Sequence, residues 1–229
     1  MLVRLPGVYT PVADSLLLRK ALIDASVPRG ARALDICTGT GIIALAAAEL
    51  GASYVRALDL SHRAVFAARC NARLRRLPIH VRRGDFRTQL GQERFDIVTA
   101  NPPYVPCPDG DASTTGNARA WNAGHDGRLY LDPLCAMAPR LLNPGGMMLI
   151  VHSSLCQPDV TVQMLAEAGL KASVVARRGK PFGPVVSSRA AWLEDQGLIA
   201  AGQRREELVV IRADHVTSAS PDDEQELGS

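Results

Sequence analysis

The sequence predicts an α/β fold, a parallel sheet with helices on both faces, and three observations carry that expectation. Short aliphatic runs alternate with stretches of helical period from about residue 14 to residue 212, the pattern of strands joined by helical crossovers. The runs at residues 33–37 and 95–100 are almost continuously apolar, as expected of strands buried on both faces. Apolar residues make up 47% of the 229 and aromatics only 4%, enough for one large aliphatic core.

Taken in order, residues 1–12 read as extended, because Pro6, Gly7 and Pro11 block helix. Asp14 and Ser15 read as the cap of a helix through Leu16, Leu17, Leu18, Leu22 and Ile23, closed by Pro28-Arg29-Gly30. Residues 33–37 form the first strand, followed by Thr38-Gly39-Thr40-Gly41 and an alanine-rich helix to about Leu50. Residues 54–60 form the second strand and end at Asp59-Leu60. Ser61 caps a helix with Ala64, Val65, Ala67, Ala68 and Ala72 on one side and Arg69, Arg73 and Arg76 on the other. The third strand covers 79–81 and leads to Gly84-Asp85-Phe86; the fourth covers 95–100.

Residues 105–127 are rich in Pro, Gly, Asp, Ser and Thr, and a loop of that length in a compact domain is usually functional or disordered. A helix follows over about 128–142, then Asn143-Pro144-Gly145-Gly146 and a strand at 147–151. Helix 160–168, strand 172–176 and strand 207–212 complete the alternation, with a short helix at 188–196 inside the otherwise unassigned 179–205. Residues 1–213 read as one domain whose first 30 residues are an extension and helix, and 214–229 as a disordered acidic tail.

Bulk properties narrow the class. Net charge is +3, too mild to mark a nucleic-acid binder, and 23 arginines against 3 lysines make any single arginine cluster less informative. Cys37, Cys70, Cys107, Cys135 and Cys156 are odd in number and scattered, as in reduced, cytoplasmic chains rather than disulfide frames or zinc sites. His62, His80, His125, His152 and His215 show no metal spacing either. The start lacks a signal-peptide core, and no apolar run is long enough to span a bilayer.

The chemistry is expected at Asn101-Pro102-Pro103-Tyr104, straight after the fourth strand. Two prolines forbid both ladder pairing and helix, so the chain leaves the sheet stiffly. That holds the Asn101 amide and the Pro102 carbonyl in fixed relation at the carboxyl end of a strand, where open α/β sheets bind ligands. Two fixed oxygen acceptors suit both hydrogens of a planar –NH2 group, with Tyr104 covering its flat face. Catalysis of that kind is positioning and electrostatics rather than acid–base work.

A second constellation surrounds Gly39-Thr40-Gly41, between a strand and a helix, where missing side chains let backbone approach a ligand. Gly39 to Ala44 also satisfies the dinucleotide pattern, with Asp59 twenty positions past Gly39, so a nicotinamide-dependent oxidoreductase is a rival. Asp35 would oppose a pyrophosphate, however, and Asp85 adds a third acid at a third strand end. An ammonium, a ribose diol and an adenine would suit those three acids; S-adenosyl-L-methionine has all three.

On Leu34-Asp35-Ile36-Cys37-Thr38-Gly39-Thr40-Gly41, Leu58-Asp59, Gly84-Asp85-Phe86 and Asn101-Pro102-Pro103-Tyr104, the chain resembles the class I S-adenosylmethionine-dependent methyltransferases, and within them the HemK-type protein-glutamine N5-methyltransferases. Val8 to Ser15 and Ala120 to Arg128 resemble their short branch. The resemblance implies a Rossmann-like, mostly parallel seven-stranded sheet with an antiparallel last strand. It implies that Asp35 and the backbone at Cys37, Gly39 and Gly41 meet the methionine end of the cofactor and Asp59 its ribose. Asp85 with the Phe86 backbone would meet the adenine, Ser15 would lie near the cofactor, and Asn101 with Pro102 would hold a glutamine amide of a release factor. The family's short branch also implies a small zinc-binding activator on an edge strand, with residues 79–81 as the candidate here. Cys37 departs from the family's first glycine, and 179–205 is longer than the short-branch pattern and a candidate cap for the substrate groove.

Three other readings stay open on the residues alone: methylation of adenine N6 or another amino group on RNA or DNA, the oxidoreductase, and a non-catalytic scaffold. Residues 61–94 hold nine arginines and two acids, which favours nucleic acid, but a solvated helix face in an arginine-rich chain accounts for them. Trp121, beside the corner, is expected to form a substrate wall or lid.

Overall fold

The computed structural model describes residues 2–108 and 117–216. Seven strands form one sheet: β1 (Arg32–Ile36), β2 (Tyr54–Asp59), β3 (Ile79–Arg83), β4 (Phe95–Ala100), β5 (Leu142–Ser153), β6 (Lys171–Pro181) and β7 (Arg205–Asp214), in the order β3-β2-β1-β4-β5-β7-β6. Pairing is parallel from β3 to β5, and β7 runs antiparallel to both neighbours. The expected α/β architecture is present, with the last strand reversed. From β1 the chain winds outward through β2 and β3, then returns to place β4 on the other side of β1. That reversal opens a crevice at the carboxyl ends of β1 and β4.

Successive side chains of a strand point to opposite faces, and the sheet feeds two cores. Leu34, Ile36, Val98, Ala100, Met148 and Ile150 pack on one face with Leu131, Leu134 and Ala138 of α5 (Leu131–Leu141) and Leu165 of α6 (Pro158–Glu167). Ala33, Ile97, Leu149 and Val151 pack on the other with Leu18 and Leu22 of α1 (Ala13–Asp24), Ile43 and Ala47 of α2 (Ile42–Glu49) and Val65 and Ala68 of α3 (His62–Leu74). Each fully buried Leu or Ile contributes about 1.5–3 kcal/mol. Ser61 caps α3 as expected, its Oγ accepting from Ala64 N at 3.4 Å.

Several boundaries differ for physical reasons. Asp14 and Ser15 do not cap α1; the N-cap is Val12, because the Asp14 carboxylate is drawn to two tyrosines described below. β5 begins at Leu142, paired with Phe95, so Asn143-Pro144-Gly145-Gly146 lies inside the strand. Gly145 N and Gly146 O there bond to His215. β6 continues to Pro181 because β7 pairs with it along its whole length. A short α4 (Phe86–Gln89) follows β3, and the segment left open in the sequence folds into α7 (Pro184–Ser188) and α8 (Ala190–Asp195). The arginine-rich stretch is not merely solvated: Arg63 donates to Pro6 O, Arg69 to Val81 O and Arg83 to Leu60 O. Of the expected acidic tail, 217–229 lie outside the described residues, as do 109–116 of the long loop. No helix among the described residues is long and apolar enough to cross a membrane.

Candidate active site

The loop after β1 is folded by its own acids. Asp35, nearly fully buried, accepts from Thr38 Oγ1 at 2.6 Å, Thr99 Oγ1 at 2.8 Å and Ala44 N at 3.2 Å. It thereby joins β1, β4, the loop and the start of α2. Burial raises its carboxyl to about 6, against those hydrogen bonds, which lower it. Asp59, at the end of β2, accepts from Gly39 N at 2.9 Å through Oδ2 and from Ser61 N at 2.8 Å through Oδ1. Cys37 takes φ +58° and Gly39 φ +55°, so the cysteine occupies a left-handed position that suits glycine. Burial, with the charges of Asp59, Asp35 and Asp85, pushes its thiol up, so it stays neutral.

The exit from β4 is braced from behind. Val105 N donates to Trp121 O at 2.7 Å, Ala123 N to Val105 O at 3.0 Å and Cys107 N to Gly124 O at 2.9 Å. Gly127, at φ +76°, lies so close that a Cβ there would stand 2.5 Å from Tyr104 O and 2.7 Å from Cys156 Sγ. Buried Arg128 donates to Cys156 O and Thr161 Oγ1 at 2.6 and 3.0 Å, tying this stretch to α6. Arg189, between α7 and α8, donates to Pro106 O at 2.8 Å and Asn122 Oδ1 at 2.6 Å. The 179–205 segment therefore buttresses the loop, and none of its residues lines the cleft.

Loop and corner face one cleft of about 430 Å³. Asp35, Cys37, Gly39 and Asp59 line one part; Ser15, Asn101, Pro102, Pro103 and Tyr104 line another, with Trp121 beside them and Gly7 to Tyr9 of the extended arm alongside. Buried Asn71 of α3 secures that arm, bonding both Val3 N and Val3 O, and also takes Thr40 O. Under the corner, Asp14 Oδ2 accepts the hydroxyls of Tyr9 and Tyr104 at 2.6 and 2.8 Å, and Asn101 Nδ2 donates to Ser15 Oγ at 3.3 Å.

Residues 2–117 match the family model described as "Methyltransferase small domain". The chain is 35% identical over 178 residues, 77% of its length and 88% of the relative's, to a Methanocaldococcus jannaschii protein described as an N5-glutamine methyltransferase. The chain belongs to the HemK-type class I methyltransferases. The methyltransferase is also 32% identical over 186 residues to the release factor glutamine methyltransferase of Mycolicibacterium smegmatis, covering 77% of this chain and 66% of that protein. Its fold is shared with the Mtq2–Trm112 complex of E. cuniculi, at TM-score 0.63 and 22% identity over 91% of this chain and 98% of that one. It is an S-adenosylmethionine-dependent enzyme, and the cleft fits that cofactor. Asp35 and Asp59 line it, a donor set for a cation and a diol rather than a pyrophosphate. A Cβ on Gly39 would meet nothing within 4 Å, and Thr40 Oγ1, in the same loop, is buried without a partner among the described residues.

Two residues expected at the cofactor have other partners in the structure. Gly41 N-caps α2 at φ +84° with its Cα turned to α3, where a Cβ would meet Ala68 Cβ at 3.2 Å. It serves helix packing and does not line the cleft. Asp85 caps α4 and is held by Arg87 Nε and Nη2 at 2.5–3.0 Å, which keeps its carboxyl below the usual range. Gly84 and Phe86 line the cleft on either side of it, and Asp85 does not. Tyr9 and Asp14 belong to the Val8 to Ser15 stretch that resembles the short branch, but neither is expected at the site and Asp14 otherwise reads as a cap. Sequence reasoning also missed Glu206, a buried acid paired with Lys180 Nζ at 2.7 Å and hydrogen-bonded by Ser153 Oγ, whose charge reaches Tyr9 and Tyr104. The available signal was Tyr9 and Asp14 five residues apart, straddling the entry to a helix.

Proposed function

We propose that this methyltransferase modifies the side-chain amide nitrogen of a glutamine in a translation release factor, held at the Asn101-Pro102-Pro103-Tyr104 corner. The observation that carries the reading is that this corner lines the same cleft as the Gly39 loop. The names of the relatives support it: release factor glutamine methyltransferases in bacteria, and in E. cuniculi a complex responsible for methylating a termination factor. In this reading Asn101 Oδ1 and the Pro102 carbonyl accept the two amide hydrogens, which turns the nitrogen lone pair out of its delocalised plane. Tyr104 covers the flat face of the amide and Trp121 walls the acceptor side. Asp35 and the backbone of Cys37 and Gly39 hold the methionine end of the cofactor, Asp59 the ribose, and Gly84 with Phe86 flank the adenine. When bound, S-adenosylmethionine would supply a sulfonium methyl for the amide nitrogen, which would give up one proton to water.

The partner in this reading is a small zinc-binding activator along β3, one of the two edge strands of the sheet, beside which Phe66 and Leu74 of α3 stand exposed. Incubation of the purified chain with labelled S-adenosylmethionine and a release factor, alone and with a co-expressed activator, tests the whole reading. Label mapping to a glutamine side chain of the release factor supports it. Label on RNA or DNA instead, or on another residue type, overturns it.

A further inference from the structure

Asn101 has two ends of nearly the same shape, and only its oxygen can hold an amide hydrogen. Packing alone does not choose between the two orientations of a side-chain amide; the hydrogen-bond partners do. Here the partner is Ser15, whose Oγ lies 3.3 Å from Asn101 Nδ2. A hydroxyl can donate or accept and so could serve either end, but the Ser15 hydrogen is committed, because Oγ donates to Asp14 Oδ1 at 3.2 Å. The Asp14 carboxylate only accepts. It takes the Ser15 backbone N–H as well, and the hydroxyls of Tyr9 and Tyr104. Burial and the Asp14 charge hold both phenols above their ordinary range, so both remain donors.

We infer that Asp14 and Ser15 are positioning residues that set the direction of this hydrogen-bond chain and so fix Asn101 with Oδ1 toward the acceptor nitrogen. Because Asp14 cannot donate, Ser15 gives it its hydrogen. The remaining lone pairs of Ser15 then take an Nδ2 hydrogen of Asn101. Turning Asn101 over would set Oδ1 against those lone pairs in a buried corner where Asp14 is 2% and Ser15 3% exposed. The same carboxylate holds the Tyr104 hydroxyl, so one buried acid orients both the amide and the ring of the corner. The consequence is substrate choice: a group that can donate, such as glutamine, is accepted, and a methyl ketone of the same shape, which cannot donate, is refused. This rests on the proposed amide acceptor.

Full-length Ser15→Ala, Asp14→Asn and Ser15→Thr test it. With a glutamine peptide, Ser15→Ala and Asp14→Asn should lose kcat by roughly tenfold or more, with KM for S-adenosylmethionine held within about threefold. Ser15→Thr, which keeps the hydroxyl, should stay close to the parent. Loss of packing alone would not change peptide preference. The parent should bind the glutamine peptide over the same peptide with a methyl ketone in place of the side-chain amide, and Asp14→Asn, whose amide can donate to Ser15 and reverse the chain, should narrow or invert that order. A substrate-free readout comes from asparagine-selective labelling, in which the Asn101 amide protons should show NMR contacts to the Ser15 β-protons and lose them in Asp14→Asn. If the contact holds but the parent methylates no glutamine peptide, the proposed function falls and the orientation of Asn101 stands. Unchanged turnover and peptide order in the variants, or Asn101 protons facing the cleft in the parent, would overturn the inference.

Discussion

At the scale of single residues, the cleft is a set of acids with divided duties. Asp35 is bonded on three sides by its own protein, and burial raises its carboxyl to about 6. A raised carboxyl gives stability that is present at low pH and lost as pH rises through the folded value, so the cofactor-free protein should weaken between about pH 4 and 6. Affinity for a cationic cofactor should run the other way, falling as pH drops through about 6 and Asp35 takes up a proton. Calorimetric titration with S-adenosylmethionine at about pH 5 and about pH 7.5 checks this, and Asp35→Asn should flatten the difference. Asn101→Ala should abolish methyl transfer while cofactor affinity stays within a few-fold; a large loss of cofactor binding would show that Asn101 serves the cofactor instead. Cys37 sits at φ +58°, which costs an L-residue roughly 1–2 kcal/mol, whereas glycine gives back roughly 0.5–1 through unfolded-state entropy. Cys37→Gly should therefore stabilise slightly, by about 0.5 kcal/mol, as read from chemical denaturation midpoints.

At the scale of elements, the corner after β4 is rigid because three separate stretches press on it. Val105 and Cys107 pair with residues 121–124, Gly127 lies against the Tyr104 carbonyl with Arg128 bonded to Cys156 O, and Arg189 bonds Pro106 O. Gly127→Ala would put a methyl 2.5 Å from Tyr104 O in a left-handed backbone. The expected cost is roughly 2–3 kcal/mol, with a fall in melting temperature of about 4–10 °C. Turnover should fall more than stability explains, because the displaced Tyr104 peptide adjoins the acceptor corner; calorimetry and methyl-transfer assays on the same preparation separate the two. The sequence stretch that resembled the short branch, Ala120 to Arg128, thus acquires a mechanical reason. Its Gly127 makes room and its arginine locks the result, a purpose that no spacing rule reveals.

At the scale of the whole molecule, the two cores share one sheet, and the cleft sits where its winding reverses. A ligand seated there touches ends of β1, β2 and β4 together with the arm pinned by Asn71, so binding should stabilise the whole domain. At about a hundredfold excess over the dissociation constant the gain is about 2.7 kcal/mol, or about 5–10 °C in melting temperature. S-adenosylmethionine should produce that shift in a thermal scan and NADH should not.

The alternation of apolar strands and helices, the Gly39 loop, the three strand-end acids and Asn101-Pro102-Pro103-Tyr104 were legible without coordinates. Each depends on local rules: period, backbone freedom and the stiffness of proline. Those rules led to the parallel sheet and the corner, while the methyltransferase family came from the resemblance of the motifs. Tertiary structure alone decided that Gly41 turns to Ala68, that 179–205 braces a loop instead of covering the groove, and that Asp14 lies under Tyr104. The physical reason is that a buried polar group must find its partner in space, and residues 86 or more positions apart, such as Ser15 and Asn101, meet only after the sheet has assembled.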